Sequence, residues 1–157
     1  EPLLLMACGS YQLAEMQRAA VRLRTAGLAY RLVYVQEPGR FRAPRDRWEA
    51  QALASPEVVA QLFAPALRRR VLLTHMRPEV ARGHLWPLLP DASNTVVLGY
   101  RNRGGTLDEA GMQFANSATW AHILDACAQL LQVPLSDVLS AAEITAVKGE
   151  GDPRVLR

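Results

Sequence analysis

The connection LGYRNRGGTLDEAGM concentrates charged, amide and glycine residues directly after an apolar run. Arg101 and Arg103 flank Asn102, and two planar guanidinium groups at this spacing can bind a phosphate or a carboxylate in forked geometry. The two glycines that follow, starting at Gly104, would let the backbone approach such a ligand closely. Equally, the glycines could only supply turns while the arginines face water. The residues of this loop leave both interpretations open.

The turn CGSYQLAE is a second candidate, because Gly9 and Ser10 precede a helical pattern. Free N–H groups at a helix N-terminus attract anions, but the spacing is not GxGxxG and does not indicate a dinucleotide. Ser10 would need a base to act as a nucleophile, and His75 is the only candidate on a neighbouring predicted strand. No carboxylate is evident to orient that histidine, so a hydrolase pair is a poor hypothesis. The simpler alternative is that Ser10 only caps its helix.

The histidines and cysteines do not predict a metal site. His75, His84 and His122 have no short spacing typical of zinc ligands and no neighbouring cluster of cysteines or carboxylates. Either His75 or His122 could lie in a functional interface. Cys8 in an apolar run and Cys127 on an apolar helical face are typical of small core residues, and we expect no disulfide between them.

Alternating strand and helix patterns position these residues. Apolar runs predict strands at residues 3–7, 30–35, 71–75 and 94–99. Helical spacing and cap signals predict helices at residues 10–26, 55–69 and 120–131, another that starts at 78, and shorter helical pieces from about 46 and after 136. Ser10 is the predicted N-cap of the first helix, and Ser136 with Asp137 caps the last one.

This order of elements predicts an α/β fold with three layers, in which a mostly parallel sheet of about five strands carries helices on both faces. In such folds the ligand crevice lies at the carboxyl ends of the strands. We therefore expect one edge of the sheet to carry Ser10, Gln36, His75 and Arg101.

Length and composition indicate one globular domain over residues 1–157, with a frayed tail at 149–157. Hydrophobic residues make up 50% and charged residues 21% of the chain, which is typical of ordinary globular proteins. The chain enters a strand almost at once after Glu1, so we expect it to be part of a longer protein.

No apolar run approaches the roughly 18 residues of a spanning helix, and the opening is not typical of a signal peptide. A cytoplasmic location without a membrane partner is the resulting expectation.

The net charge of +3 comes from a basic set that is almost entirely arginine. The densest groups are Arg40, Arg42, Arg45 and Arg47, and then Arg68, Arg69 and Arg70. They could bind a phosphate-rich partner, or they could be a solvated loop and the C-terminal end of a helix, where the dipole favours cations. Nucleic acid is not expected as a partner.

The segment GYRNRGGTLDEAGMQFANSATWAH resembles the C-terminal segment of the phosphoketolases. The matching positions are Gly99, Tyr100, Gly104, Thr106, Met112, Asn116 and His122. Upstream, the apolar strand that ends at His75 and is followed by Pro78 is similar to the same family. The first βαβ unit also resembles the C-terminal domain of the wider transketolase group, so the resemblance covers roughly residues 3–131.

The resemblance implies an accessory C-terminal domain of a thiamine-diphosphate-dependent enzyme. Such an enzyme cleaves xylulose 5-phosphate or fructose 6-phosphate with inorganic phosphate, giving acetyl phosphate and a shorter aldose phosphate. Thiamine diphosphate and magnesium would be bound outside this chain, by the N-terminal catalytic domains of the same polypeptide in a homodimer. No catalytic residue is expected here, and the arginine-glycine loop would dock the domain onto the catalytic domains or the dimer mate.

A different interpretation is a stand-alone α/β module that binds an anionic metabolite or nucleotide through the Gly9 turn and nearby arginines. The candidate anion-binding or interface residues are the same for both interpretations. They are Gly9, Ser10, His75, Tyr100, Arg101, Asn102, Arg103, Gly104, Asn116 and His122.

Overall fold

A computed structural model describes residues 2–89 and 91–157 of the chain. Four parallel strands form one sheet: β1 (Leu3–Cys8), β2 (Tyr30–Tyr34), β3 (Arg70–Thr74) and β4 (Thr95–Leu98). Their order in the sheet is β2-β1-β3-β4. The predicted α/β class and parallel sheet are confirmed, whereas the described residues form four strands instead of about five.

Seven α-helices connect and cover these strands within the described residues. They are α1 (Ser10–Thr25), α2 (Arg47–Ala52), α3 (Pro56–Leu62), α4 (Pro78–His84), α5 (Glu109–Ala115), α6 (Trp120–Leu131) and α7 (Ala141–Val147). Short 3-10 turns at Pro38–Phe41, Trp86–Leu88, Ala92–Asn94, Leu135–Asp137 and Pro153–Leu156 fill the connections.

The alternation of side chains along the strands divides the core into two layers. On one face Leu3, Leu5 and Ala7 pack with α1, α6 and α7. On the other face Leu4 and Met6 pack with α3 and α4. Helices therefore cover both faces, and β1 lies in the middle with every side chain buried.

The two cysteines are free and buried on opposite faces of the sheet. Cys8 points into the α3 and α4 layer, and Cys127 points into the α1 and α6 layer. Burial raises the pKa of the Cys127 thiol to about 12, so this side chain is a small core residue.

Three helix boundaries differ from the prediction. Gly9 is the N-cap of α1, and Ser10 is the first helical residue, so its hydroxyl makes no cap. The predicted helix at 55–69 ends at Leu62, because Pro65 cannot continue the helical hydrogen bonding. The last helix is capped by Ser140 rather than Ser136.

The C-terminal tail is also more ordered than predicted. Leu156 is 4% exposed, and its carbonyl accepts hydrogen bonds from the Trp120 indole N–H at 2.8 Å and from Arg18 at 3.1 Å. The burial of Leu156 and the two hydrogen bonds that its carbonyl accepts explain why residues 153–156 pack against α1 and α6 instead of fraying.

Candidate functional site at the carboxyl edge of the sheet

The connections after β3 and β4 are held together at the carboxyl edge of the sheet. The N–H of Tyr100 donates to the carbonyl of Met76 at 3.0 Å. Gly99 is buried beside the same carbonyl, and a Cβ atom at this position would lie only 2.4 Å from it. Only glycine fits this close approach of two backbones.

Asn116 fixes the arginine-containing loop through its side-chain amide. It is 3% exposed, and its Oδ1 accepts hydrogen bonds from the N–H groups of Arg101 at 2.7 Å and Arg103 at 3.3 Å. Its Nδ2 donates to the carbonyls of Arg103 at 3.0 Å and Met112 at 2.8 Å. One buried amide thus replaces the backbone partners that this irregular segment lacks.

The loop backbone needs residues that tolerate positive φ. Asn102 has φ 59° and accepts a hydrogen bond from the Tyr100 hydroxyl at 2.9 Å, and asparagine adopts this left-handed region more readily than most residues. Gly104 has φ 108°, and a Cβ atom there would lie 2.9 Å from Ala115 and Leu107. The asparagine and the glycines of RNRGG therefore stand at the loop positions where the backbone has positive φ.

The arginine side chains of the loop point outward. Arg101 and Arg103 are exposed, and neither guanidinium makes a hydrogen bond or ion pair with the part of the chain that the structure describes. With Arg77, Glu79 and Tyr100 they line a surface depression of about 410 Å³. Three cations and one carboxylate make this surface suitable for an acidic or phosphorylated partner.

His122 lies beneath the loop as a neutral, packed imidazole. Its Nδ1 is 2.7 Å from the Thr119 hydroxyl, and its ring centroid is 5.8 Å from that of Phe114. The pKa of His122 is lowered to about 4, mainly by burial; the negative charge of Asp125 partly opposes this shift, and the positive charge of Arg101 adds to it. At neutral pH this histidine is uncharged and supports the loop from the side of α6.

The Gly9 turn and His75 adjoin each other, but Ser10 and His75 do not form a pair. The Nδ1 of His75 lies 3.0 Å from the carbonyl oxygen of Cys8, so it acts as a donor in this contact. Ser10 is exposed, and the described residues contain no hydrogen bond between its hydroxyl and the imidazole. The geometry gives no support to the hydrolase hypothesis.

A small cavity of about 200 Å³ lies between the first turn of α1, the carboxyl ends of β3 and β4, and α5. It brings together three of the predicted residues, His75, Tyr100 and Asn116. Ser10 and His122 lie outside its lining. The other lining residues, which the sequence did not single out, are Gln12, Thr74, Met112, Gln113 and Ala118. The described part of its lining is uncharged apart from the imidazole of His75 and contains no arginine or lysine.

The sequence indicates only weakly that Gln12 lines this cavity. The one indication is its position in the first turn of α1. Its Oε1 would lie 2.2 Å from a Cβ atom at Gly9, so the amide folds over the turn. The hydrogen bond between the Tyr100 N–H and the Met76 carbonyl, in contrast, joins two backbone groups, so the residue types do not predict it.

Within residues 2–89 and 91–157, no group of three or more His, Cys, Asp or Glu side chains could hold a metal ion. No helix in that part of the chain is long and apolar enough to cross a membrane. No protein-family model matches the sequence, and no curated protein matches it.

Proposed function

We propose that this chain is an accessory C-terminal domain of a thiamine-diphosphate-dependent phosphoketolase, with a role in assembly or regulation. One observation carries the proposal: the residues through which the sequence resembles that family are those that build the loop after β4. Gly99 permits the close approach to Met76, and Gly104 packs on α5. Asn116 binds the loop backbone.

The matched residues are the ones that build the loop, and this agreement supports the resemblance because they depend structurally on one another. A glycine at a close contact, a glycine at positive φ and a buried amide are separate requirements of one loop. A loop of this kind needs all three together. The matches at Tyr100 and His122 extend the same unit, because the Tyr100 hydroxyl donates to Asn102 and the His122 ring contacts Phe114 of α5, the helix that follows the loop.

The role of the loop in this proposal is docking. Its backbone is held by Asn116, while Arg101 and Arg103 are exposed. A surface whose backbone is already fixed loses little conformational entropy when it binds. We propose that these arginines contact an acidic surface on the catalytic domains of the same polypeptide or on the dimer mate.

The chemistry itself is assigned to those catalytic domains. Thiamine diphosphate, bound there with magnesium, would supply the carbanion chemistry of sugar phosphate cleavage. In this proposal no step of the reaction is given to a residue of this chain.

The experiment is an assay of the full-length protein for acetyl phosphate formation. Xylulose 5-phosphate and fructose 6-phosphate are each tested with and without inorganic phosphate and thiamine diphosphate. Product that requires both additions supports the proposal, and absence of product from both sugars overturns it.

The docking role is tested with Arg101→Ala combined with Arg103→Ala. Arg24→Ala combined with Lys148→Ala is the control for lost charge. Docking predicts weaker dimerisation or turnover only for the loop variant.

A second candidate function is a binding module for an anionic metabolite. The observation that favours it is the depression of about 410 Å³ lined by Arg77, Arg101 and Arg103, in which Glu79 is the only acidic residue among the lining residues that the structure describes. Titration with phosphorylated metabolites, followed by calorimetry, separates the two candidates. A module predicts saturable binding that the loop variant abolishes, in a protein without phosphoketolase activity.

A further inference from the structure

A second and larger surface feature lies at the opposite edge of the sheet. It is a groove of about 860 Å³ between the segment 40–56, the helix α3 and the residues before β4. Its walls are largely apolar and include Phe41, Leu53, Val59 and Phe63. The rings of Phe41 and Phe63 meet edge to face with centroids 5.2 Å apart. The volume falls within the range of roughly 300–1,000 Å³ that small-molecule sites occupy.

A buried arginine lies at the base of this groove. Arg70, the first residue of β3, is 3% exposed. Its guanidinium donates four hydrogen bonds to backbone carbonyls, those of Leu67 at 2.8 Å, Leu88 at 2.6 Å, Phe63 at 3.1 Å and Ala64 at 3.2 Å. An arginine has five N–H groups, so one donor has no partner among the described residues.

The charge of Arg70 has no acidic partner in the described part of the chain. Only carbonyl dipoles compensate it, and burial lowers the pKa of its guanidinium without any opposing charge. A buried cation that is not paired with an anion is costly. An anion in the groove would reduce this cost.

The rim of the groove is also positive. Arg40, Arg42 and Arg68 line it, and Asp91 is the only acidic residue of the lining within residues 2–89 and 91–157. Arg42 is paired with Glu49, and Asp91 accepts hydrogen bonds from Asn94 and Ser93. The Arg40 guanidinium is exposed and makes no hydrogen bond or ion pair with residues that the structure describes. The groove therefore combines apolar walls with an excess of positive charge.

We propose that this groove binds a small amphipathic anion, a phosphate or carboxylate attached to an aromatic or acyl body. The anionic group lies between Arg40 and Arg70, and the body packs against Phe41 and Phe63. Inorganic phosphate would leave the apolar walls uncovered, and a neutral aromatic compound would leave the two guanidinium groups without an anionic partner. Affinity therefore requires both parts in one molecule.

The test uses 1-naphthyl phosphate as the probe, titrated into the full-length protein by calorimetry at low ionic strength. Inorganic phosphate and 1-naphthol supply its two halves separately. We expect saturable binding of 1-naphthyl phosphate with an affinity at least about tenfold higher than that of either half. Equal affinity for inorganic phosphate or for 1-naphthol overturns the proposal, and so does the absence of binding.

Variants then locate the site. Ala60 lines the groove from an exposed position on α3, so Ala60→Trp should fill it and abolish binding. Ala142→Trp, at an exposed position on α7, is the matched control and should bind like the unmodified protein. Arg40→Ala should weaken binding by about tenfold without unfolding the protein. Binding that survives Ala60→Trp and Arg40→Ala overturns the assignment.

The groove is separate from the loop after β4, so the two proposals fail independently. Arg101→Ala combined with Arg103→Ala should leave 1-naphthyl phosphate binding unchanged. Loss of binding in that variant would show that the probe binds at the loop and would overturn the groove proposal. Phosphoketolase activity, present or absent, leaves this result unaffected.

Discussion

Asn116 is the residue on which the shape of the arginine loop depends, because one amide makes four hydrogen bonds to the backbone. Asn116→Ala removes all four and leaves backbone donors and acceptors of Arg103 without partners. We expect a loss of about 1–3 kcal/mol in the free energy of unfolding, measured by urea denaturation.

Asn116→Asp separates the two halves of this interaction. A carboxylate still accepts from the N–H groups of Arg101 and Arg103 but cannot donate to the carbonyls of Arg103 and Met112. Because this buried carboxylate would face two carbonyl oxygens without a cation beside it, the stability of Asn116→Asp at neutral pH should be no higher than that of Asn116→Ala. An alanine variant as stable as the unmodified protein would contradict the role given to this amide.

His122 makes stability depend on pH in a definite direction. Its pKa falls from the usual value of 6.5 to about 4 in the folded protein, so the unfolded chain binds more protons than the folded chain between these values. Stability should decrease as the pH falls from 6.5 towards 4, by roughly 2 to 3 kcal/mol for this one group at pH 4.5. Denaturation curves at pH 7 and pH 4.5 measure the decrease.

The control for this prediction is His122→Gln, which keeps a polar partner for Thr119 but does not titrate. Carboxylates such as Asp91, whose pKa is lowered to about 2 by its hydrogen bonds to Asn94 and Ser93, contribute equally in both proteins. The variant should therefore lose less stability than the unmodified protein between the two pH values. Identical losses would exclude His122 as the source.

At the scale of elements, α7 depends on a capping box at its N-terminus. The Ser140 hydroxyl accepts from the N–H of Glu143, and the Glu143 carboxylate accepts from the N–H of Ser140 and also pairs with Arg22 of α1. Ser140→Ala should reduce the free energy of unfolding by about 1 kcal/mol. Thermal denaturation checks the value.

Ser136→Ala is the matched control for the cap. The sequence predicts Ser136 as the cap of the last helix, but in the structure it lies in the 3-10 turn Leu135–Asp137. Its replacement should change stability very little. A larger effect at Ser136 than at Ser140 would contradict the observed helix boundary.

For the whole molecule, the sequence predicts the sheet better than the site. The observed strands start and end within one or two residues of the predicted ones, because strands buried on both faces are continuous apolar runs. The contacts of the site have no such pattern. Asn116 contacts Arg101 across an intervening helix, and the groove at Arg70 depends on the end of α3 at Leu62, shortly before Pro65. These arrangements depend on tertiary packing, which local spacing does not encode.

The tail shows how a segment with weak local signals can complete the core. Leu156 is buried against α1 and α6, and its carbonyl receives the Trp120 indole N–H. Leu156→Ala should therefore reduce the free energy of unfolding by about 2–4 kcal/mol, because it leaves a cavity between packed helices. Val155→Ala is the matched control, since Val155 is 43% exposed and should lose less than about 0.5 kcal/mol. Urea denaturation of the three proteins decides the question, and equal stability of all three would mean that the tail is not part of the cooperative core.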